Sequence, residues 1–239
     1  MNSLKNSAAD AATPNGFLST VRAQVFLLAL LCLPLYLNDF ANIYLKDSWV
    51  WWYVVDLGVV KPFQLGLIIW MLARGLARGR DFGLSRIRPA AFILVAALMT
   101  LGGTVVLMNG TVFLNRIIAL KPLGGYPAVP DPVFRWVDLT LDIGLVALLE
   151  ETIFRGYMET VLRRLNFGTF KILLVSSICF GLIHWSNGVQ SVIVTSLVGA
   201  MFMGFYLKCR STLPLIAAHY LIDFIFFSML VPYTWFLYI

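Results

Sequence analysis

Residues 143–164, IGLVALLEETIFRGYMETVLRR, read as a membrane-spanning helix with three charged side chains in its middle. Ile143 to Leu149 carries no charge, Glu150, Glu151 and Arg155 follow, and Glu159 is the only further charge before the basic pair Arg163-Arg164. Ionisable groups at that depth are costly, face a bundle interior or a wet cavity, and mark places where the protein does something. The rest of the chain is expected to make this segment tolerable.

Composition agrees with a membrane setting. Hydrophobic residues make up 60% of the 239 residues and charged residues 13%, against roughly 25% charged in soluble domains. The fold class expected is therefore all-α, a polytopic bundle of transmembrane helices. The net charge of +6 sits in short loops between apolar runs, where it encodes topology; no basic face with interleaved aromatics points to nucleic acid. Cys32, Cys179 and Cys209 lie in or beside apolar segments without CxxC spacing and read as packing residues.

Residues 1–20, rich in Ser, Asn, Ala and Asp, read as a disordered cytoplasmic tail, and 21–239 as one transmembrane domain with its functional core at 137–231. The run 23–37 is followed by Asn38-Asp39 rather than a small-residue cleavage site, so it reads as a first span and not a signal peptide. The second span is expected from about Val59, with Lys61 snorkelling outward and Trp49, Trp51, Trp52 and Tyr53 forming an interfacial belt. Further spans fall at 90–108, 137–162, 169–185, 189–207 and 213–231, seven in all, with room for an eighth short or re-entrant segment. Pro122, Pro127, Pro130, Pro132 and Gly124-Gly125 make 109–136 a loop, with 112–120 lying on the interface, and 232–239 reads as an aromatic tail at the interface. Asn109-Gly110-Thr111 matches a glycosylation acceptor, a pattern that matters only in a secretory pathway.

With the N-terminus inside, cytoplasmic segments hold Lys5, Arg22, Arg74, Arg78, Arg80, Arg86, Arg88, Arg163, Arg164, Lys171, Lys208 and Arg210, whereas the opposite side holds Lys46, Arg116, Lys121 and Arg135. The positive-inside bias thus sets a cytoplasmic N-terminus.

Depth then groups the polar residues. Glu150 and His184 each lie about 20 Å from the basic boundary of their helix, and His219 and Asp223 about 12 and 18 Å, at about 1.5 Å per residue, within a hydrocarbon core about 30 Å thick. Three helices place acids and imidazoles at similar depth, as the lining of one hydrated cavity would require. Glu151 and Arg155 are spaced i, i+4 with the acid first, the favoured order for an ion pair, which leaves Glu150 about 100° round the helix and free to face the cavity. His219 and Asp223 share the same spacing, so the acid can orient the ring. Taken singly, each has a bland reading: structural glue for the Glu-Arg pair, an inter-helix clasp for His219 and Asp223, packing for Phe154 and Phe180.

No Gly-x-Ser-x-Gly and no thiol beside a histidine offers a covalent nucleophile. A carboxylate with two imidazoles suits activation of water. The same three groups could hold zinc, although no HExxH is present. Two non-enzymatic readings remain: a peptide-binding or immunity protein using the same cavity, and a proton-coupled transporter.

Glu150-Glu151-x-x-x-Arg155, Phe180-x-x-x-His184 and His219-x-x-x-Asp223, in that order on successive apolar segments, resemble the CPBP family of CAAX-type prenyl endopeptidases and bacteriocin-processing proteins, also called the Abi family. The resemblance covers about the last hundred residues; the first half contributes generic spans. It implies a helical bundle around a cytosol-facing cavity, in a prokaryotic inner membrane, that hydrolyses a peptide bond of a membrane-associated peptide or protein. Glu150 would be the base that activates water and His184 would position it. Glu151 and Arg155 would be the supporting pair, and His219 with Asp223 would hold the scissile carbonyl or its oxyanion. Phe180 is the candidate substrate contact. Eukaryotic relatives have Asn where this chain has Asp223, and an ionised Asp cannot donate to an oxyanion. The family has been described both as metal-dependent and as metal-free; the expectation here is no cofactor, with zinc as the alternative.

Overall fold

The computed structural model describes residues 20–230, 232 and 235. The tail expected at 1–20, Thr20 apart, and the aromatic tail at 232–239, Pro232 and Trp235 apart, lie outside the described residues.

Among the described residues seven helices follow one another: α1 Val21–Tyr44, α2 Trp49–Ala73, α3 Pro89–Ile117, α4 over residues 132–164, α5 Thr169–Leu182, α6 Val189–Cys209 and α7 Leu213–Ser228. No strand occurs among the described residues. Helices α1, α2, α3 and α6 are long and apolar enough to cross a membrane, and α5 and α7 are shorter apolar helices. Phe26, Trp51, Ile93 and Phe170 stand exposed on the outside of the bundle, the arrangement a lipid solvent favours. The chain is a polytopic helical membrane protein.

Local chemistry explains the helix ends. The Thr20 hydroxyl accepts the Ala23 N–H at 3.2 Å and opens α1. The Asp131 carboxylate accepts the Phe134 N–H at 2.6 Å and opens α4, with Pro132 at the first turn where its missing N–H costs nothing. Helix α2 widens to a π-helical turn over Asp56–Val60, directly before Pro62. Proline lacks the N–H and crowds the preceding turn, so an unbroken α-helical ladder cannot run through it. Helix α4 carries two such wide turns, Asp138–Asp142 and Glu151–Tyr157.

The arginine-rich segment between α2 and α3 does not hang free. Its Gly79–Phe82 turn folds back under the bundle, with Phe82 fully buried and stacked on Tyr157 at 5.0 Å between ring centroids. Gly156 makes this approach possible, because a Cβ there would run into the Phe82 backbone. The Thr160 hydroxyl donates to the Asp81 carbonyl at 3.0 Å, and the Thr212 N–H to the Gly83 carbonyl at 2.9 Å. Glu159, buried, pairs with both Arg163 and Arg210 and so ties α4 to the end of α6. One end of the bundle is thereby closed. Helices α5 and α6 pack closely through Gly181, where a side chain would collide with Ser196, as small residues allow in membranes.

Several expectations are corrected. Lys61 does not snorkel: it is buried, paired with Asp56 in its own helix and with Asp142 of α4 at 2.5 Å. Buried opposite charges offset the cost of leaving water only when they meet, and here α2 and α4 each supply an acid. The second span starts at Trp49, and of the four belt aromatics only Trp51 is exposed. Trp52 is buried, its indole N–H donating to Asn42 at 2.8 Å, and the Tyr53 hydroxyl donates to Asp138 at 2.5 Å. Helix α3 continues to Ile117, so the loop is shorter than expected, 118–131, and Asn109 sits within a helix with its amide donating to the Val105 carbonyl.

Replacing Lys61 by Ala leaves two buried carboxylates without their cation. Breaking a buried pair from one side costs about 3–5 kcal/mol, so Lys61→Ala is expected to lower the unfolding midpoint of the detergent-solubilised protein, with partial recovery in Lys61→Ala/Asp142→Ala.

Candidate active site

A cavity of about 440 Å³ opens between the helices, lined by residues from all seven. Glu150, Glu151, Arg155, Phe180, His184, His219 and Asp223 all face it. The shared cavity that depth alone suggested is therefore present, and the geometry inside it is more specific than the spacing could tell.

Glu151 is the hub. Its Oε2 lies 3.1 Å from Arg155 Nε, the expected i, i+4 pair, and its Oε1 lies 2.8 Å from His219 Nδ1 on α7. A carboxylate accepts, so Nδ1 carries the proton and Nε2 points the other way. Nε2 lies 3.4 Å from Asp223 Oδ2 and 3.9 Å from Glu150 Oε2. The ring is thus oriented by Glu151, not by Asp223 as the i, i+4 spacing suggested, and Asp223 meets the opposite nitrogen. The wide turn of α4 begins at Glu151. It departs from the regular helical step at the second acid of the pair, and both acids reach the same imidazole; such bulges recur at functional sites.

Arg155 is fully buried. Its guanidinium carbon lies 3.9 Å from the Phe180 ring centroid and 5.5 Å from that of Phe202. A cation over aromatic faces is attracted by the ring quadrupoles, more strongly once desolvated, and this holds Arg155 where it can neutralise Glu151. Phe180 also meets both histidines edge-on, with its ring 5.5 Å from His184 and 6.0 Å from His219. Its contacts here are with the site's own side chains, and packing accounts for them.

His184 stands one residue beyond the cap of α5, in the turn before Trp185–Asn187. Its Nδ1 lies 3.2 Å from the Phe180 carbonyl. A carbonyl only accepts, so Nδ1 carries the proton and the neutral ring turns a bare Nε2 acceptor outward. His184 makes no ion pair with Glu150 or Asp223, although it lines the same cavity. Glu150 Oε2, Glu151 Oε2 and the Arg155 nitrogens make no hydrogen bond among the described residues, whereas Glu151 Oε1 is hydrogen-bonded to His219.

The supports of His184 come from the half of the chain that read as generic. The Tyr36 hydroxyl donates to the Cys179 carbonyl at 2.9 Å and the Trp185 indole to the Tyr36 carbonyl at 3.0 Å. Asp39 accepts the Ser186 N–H at 2.7 Å, and the Asn42 amide donates to the Ser186 hydroxyl at 3.1 Å. The Leu123 and Gly124 N–H groups both donate to the Ser186 carbonyl at 2.9 Å, which seats the 118–131 loop on the same turn. A sequence signal existed: Asn38, Asp39 and Asn42 stand together at the end of an apolar helix, where polar side chains need partners.

Among the described residues no group of three or more His, Cys, Asp or Glu side chains is arranged to hold a metal ion.

Residues 132–225, which run from the start of α4 into α7, match the family model described as Rce1-like type II CAAX prenyl endopeptidase. The match covers less than half of the chain and contains every one of the motif residues from Glu150 to Asp223, in agreement with the resemblance drawn from them; at the level of the family it supports a CAAX-type protease. No curated protein and no solved structure gives a match.

Asp39, Asn42 and Trp52 lie outside the matched segment yet fix the His184 turn. Losing a buried acceptor leaves the Ser186 N–H unsatisfied at a cost of about 1–3 kcal/mol. Asp39→Ala is therefore expected to speed amide hydrogen exchange across 184–187, whereas Asp39→Asn, which keeps an acceptor, largely preserves protection.

Proposed function

We propose that this chain is an intramembrane endopeptidase of the glutamate type, in which Glu150 activates the water that attacks a peptide bond. The observation that carries the reading is the division between two adjacent acids. Glu151 is tied through Oε1 to His219 at 2.8 Å and lies 3.1 Å by Oε2 from Arg155. Glu150 lines the cavity with Oε2 outside any hydrogen bond among the described residues and 3.9 Å from the nearest cationic partner, His219 Nε2. One acid holds the site together and the other is left to accept a proton.

Each neighbour has a role consistent with its geometry. His184 Nε2, bare because Nδ1 serves the Phe180 carbonyl, accepts one hydrogen of the attacking water and aims its lone pair, while Glu150 takes the other proton. His219 is pinned through Nδ1, so its Nε2 is fixed between Asp223 and Glu150. The Nε2–H of His219, steadied by the Asp223 carboxylate beside it, passes to the developing oxyanion as its donor, which an ionised Asp223 alone could not supply. On collapse, the proton held by Glu150 goes to the leaving amine. The oxyanion donor is set before the reaction, so little reorganisation accompanies it.

The substrate is proposed to be a membrane-associated peptide or protein, with a C-terminal tail of the CAAX kind as the family-level candidate. Leu35, Leu107, Ile143, Val146, Val198 and Phe226 give the cavity apolar walls suited to an apolar side chain or lipid group. The proposed location is a prokaryotic inner membrane, on the strength of the charge pattern and the resemblance.

General acid–base assistance contributes about 10²–10⁴-fold. Glu150→Gln is expected to lose at least that much cleavage of a library of membrane-anchored reporters bearing C-terminal tails, with an unchanged gel-filtration profile, and His184→Ala to lose a similar amount. A folded Glu150→Gln protein that cleaves as well as the wild type overturns the proposal.

A further inference from the structure

The cavity belongs to one end of the bundle. Its lining takes Leu35 to Asn42 from the C-terminal half of α1 and Trp52, Asp56, Lys61 and Gln64 from α2, nearer its N-terminus. From α3 and α7 it takes Leu107 to Asn115 and His219 to Phe227, again toward the C-termini, and from α6 it takes Gln190 to Phe202 near the N-terminus. Alternating helices contribute alternating ends, so all of these positions lie on the same side. The loops 74–88, 165–168 and 210–212 contribute nothing to it.

Those three loops form the other end, and that end is closed. Phe82 fills the space beneath Tyr157, the Asp81 and Gly83 carbonyls are bound to Thr160 and Thr212, and the Ser85 carbonyl takes the Ser211 hydroxyl at 2.7 Å. The end that carries the cavity ends instead in Asn115, Pro122 and Tyr126, all exposed. Access is therefore one-sided.

The charges assign the sides. Arg74, Arg78, Arg80, Arg86, Arg88, Arg163, Arg164, Lys171, Lys208 and Arg210 belong to the closed end, whereas the cavity end has Lys46, Arg116, Lys121 and Arg135. Lysine and arginine within short loops hold their side in the cytoplasm. A cytoplasmic N-terminus and a cytosol-facing cavity, both expected from the sequence and the resemblance, exclude one another in this fold, because α1 starts at the closed end.

We infer that the cavity receives its peptide from the non-cytoplasmic face, and that its partner class is a membrane-anchored protein whose cleavable, largely apolar segment is presented on that side. The word cleavable rests on the endopeptidase reading above; the sidedness rests on the placement of the cavity and the loops. The 118–131 loop then stands over the entrance, held by Gln190, whose amide donates to the Ile118 and Leu120 carbonyls at 2.9 and 2.8 Å, and by the Gly125 N–H on the Asn42 carbonyl at 3.0 Å.

The test labels single cysteines with a membrane-impermeant maleimide on intact bacterial spheroplasts expressing the full chain. Cys32, Cys179 and Cys209 are replaced by Ala; should that background not accumulate, the native chain supplies the baseline. Asn115→Cys and Ala128→Cys, exposed at the cavity end, are expected to label on intact cells, and Arg74→Cys only after lysis. The reverse pattern overturns the inference. A second arm presents one reporter tail on either side of the membrane: cleavage confined to the outer tail supports the inference, and cleavage confined to the cytoplasmic tail overturns it. Outside labelling without cleavage of either tail sustains the sidedness and counts against the endopeptidase reading instead.

Discussion

The contact of Glu151 with Arg155 and His219 is the constraint on which the site depends. A fully buried carboxylate has no water to solvate it, and it can stay charged only beside a cation and a donor. Arg155, one helical turn along, supplies the first; His219, from another helix, supplies the second. Because the three groups cannot separate without stranding a charge, α4 and α7 are held in one relative register. That register sets where Nε2 of His219 points, and with it the positions of Glu150 and Asp223 around the same nitrogen.

The same logic repeats away from the chemistry. Lys61 joins the wide turn of α2 to that of α4 through Asp56 and Asp142, and the turn over Asp138–Asp142 also receives the Tyr53 hydroxyl. Such ion groups contribute little net stability over a well-packed apolar core, yet breaking them is costly. They make alternative packings of otherwise interchangeable apolar helices expensive, a useful property where lipid competes with protein for every apolar face. The network of Asp39, Asn42 and Trp52 does for His184 what Glu151 does for His219. The first three helices are thus the scaffold that places one of the two imidazoles.

Two features of the closed end matter to how the bundle works. Gly156 sits inside the wide turn of α4, two residues from Phe154 in the core, and admits the Phe82 backbone. The same distorted turn therefore carries Glu151 and Arg155 toward the cavity and makes the seal behind it. The cavity is thus closed at one end and covered by the 118–131 loop at the other.

The sequence by itself determined what repeats locally: the apolar runs, the seven helices, the i, i+4 pairing of Glu151 with Arg155, and the common depth of Glu150, His184, His219 and Asp223. Each depends on helical rise and angular step, which any short stretch carries within it. The tertiary structure decided the partners that lie far along the chain. Nothing near Lys61 announces Asp142, 81 positions away, and nothing near Asp39 announces Ser186, 147 positions away. The belt reading of Trp52 and the snorkelling of Lys61 failed for the same reason, since a polar or aromatic residue near a helix end turns outward only when no buried partner is in reach. Which nitrogen of His219 meets which acid, and which end of the bundle holds the cavity, follow from how seven helices pack, and helix packing is settled by contacts that no single segment contains.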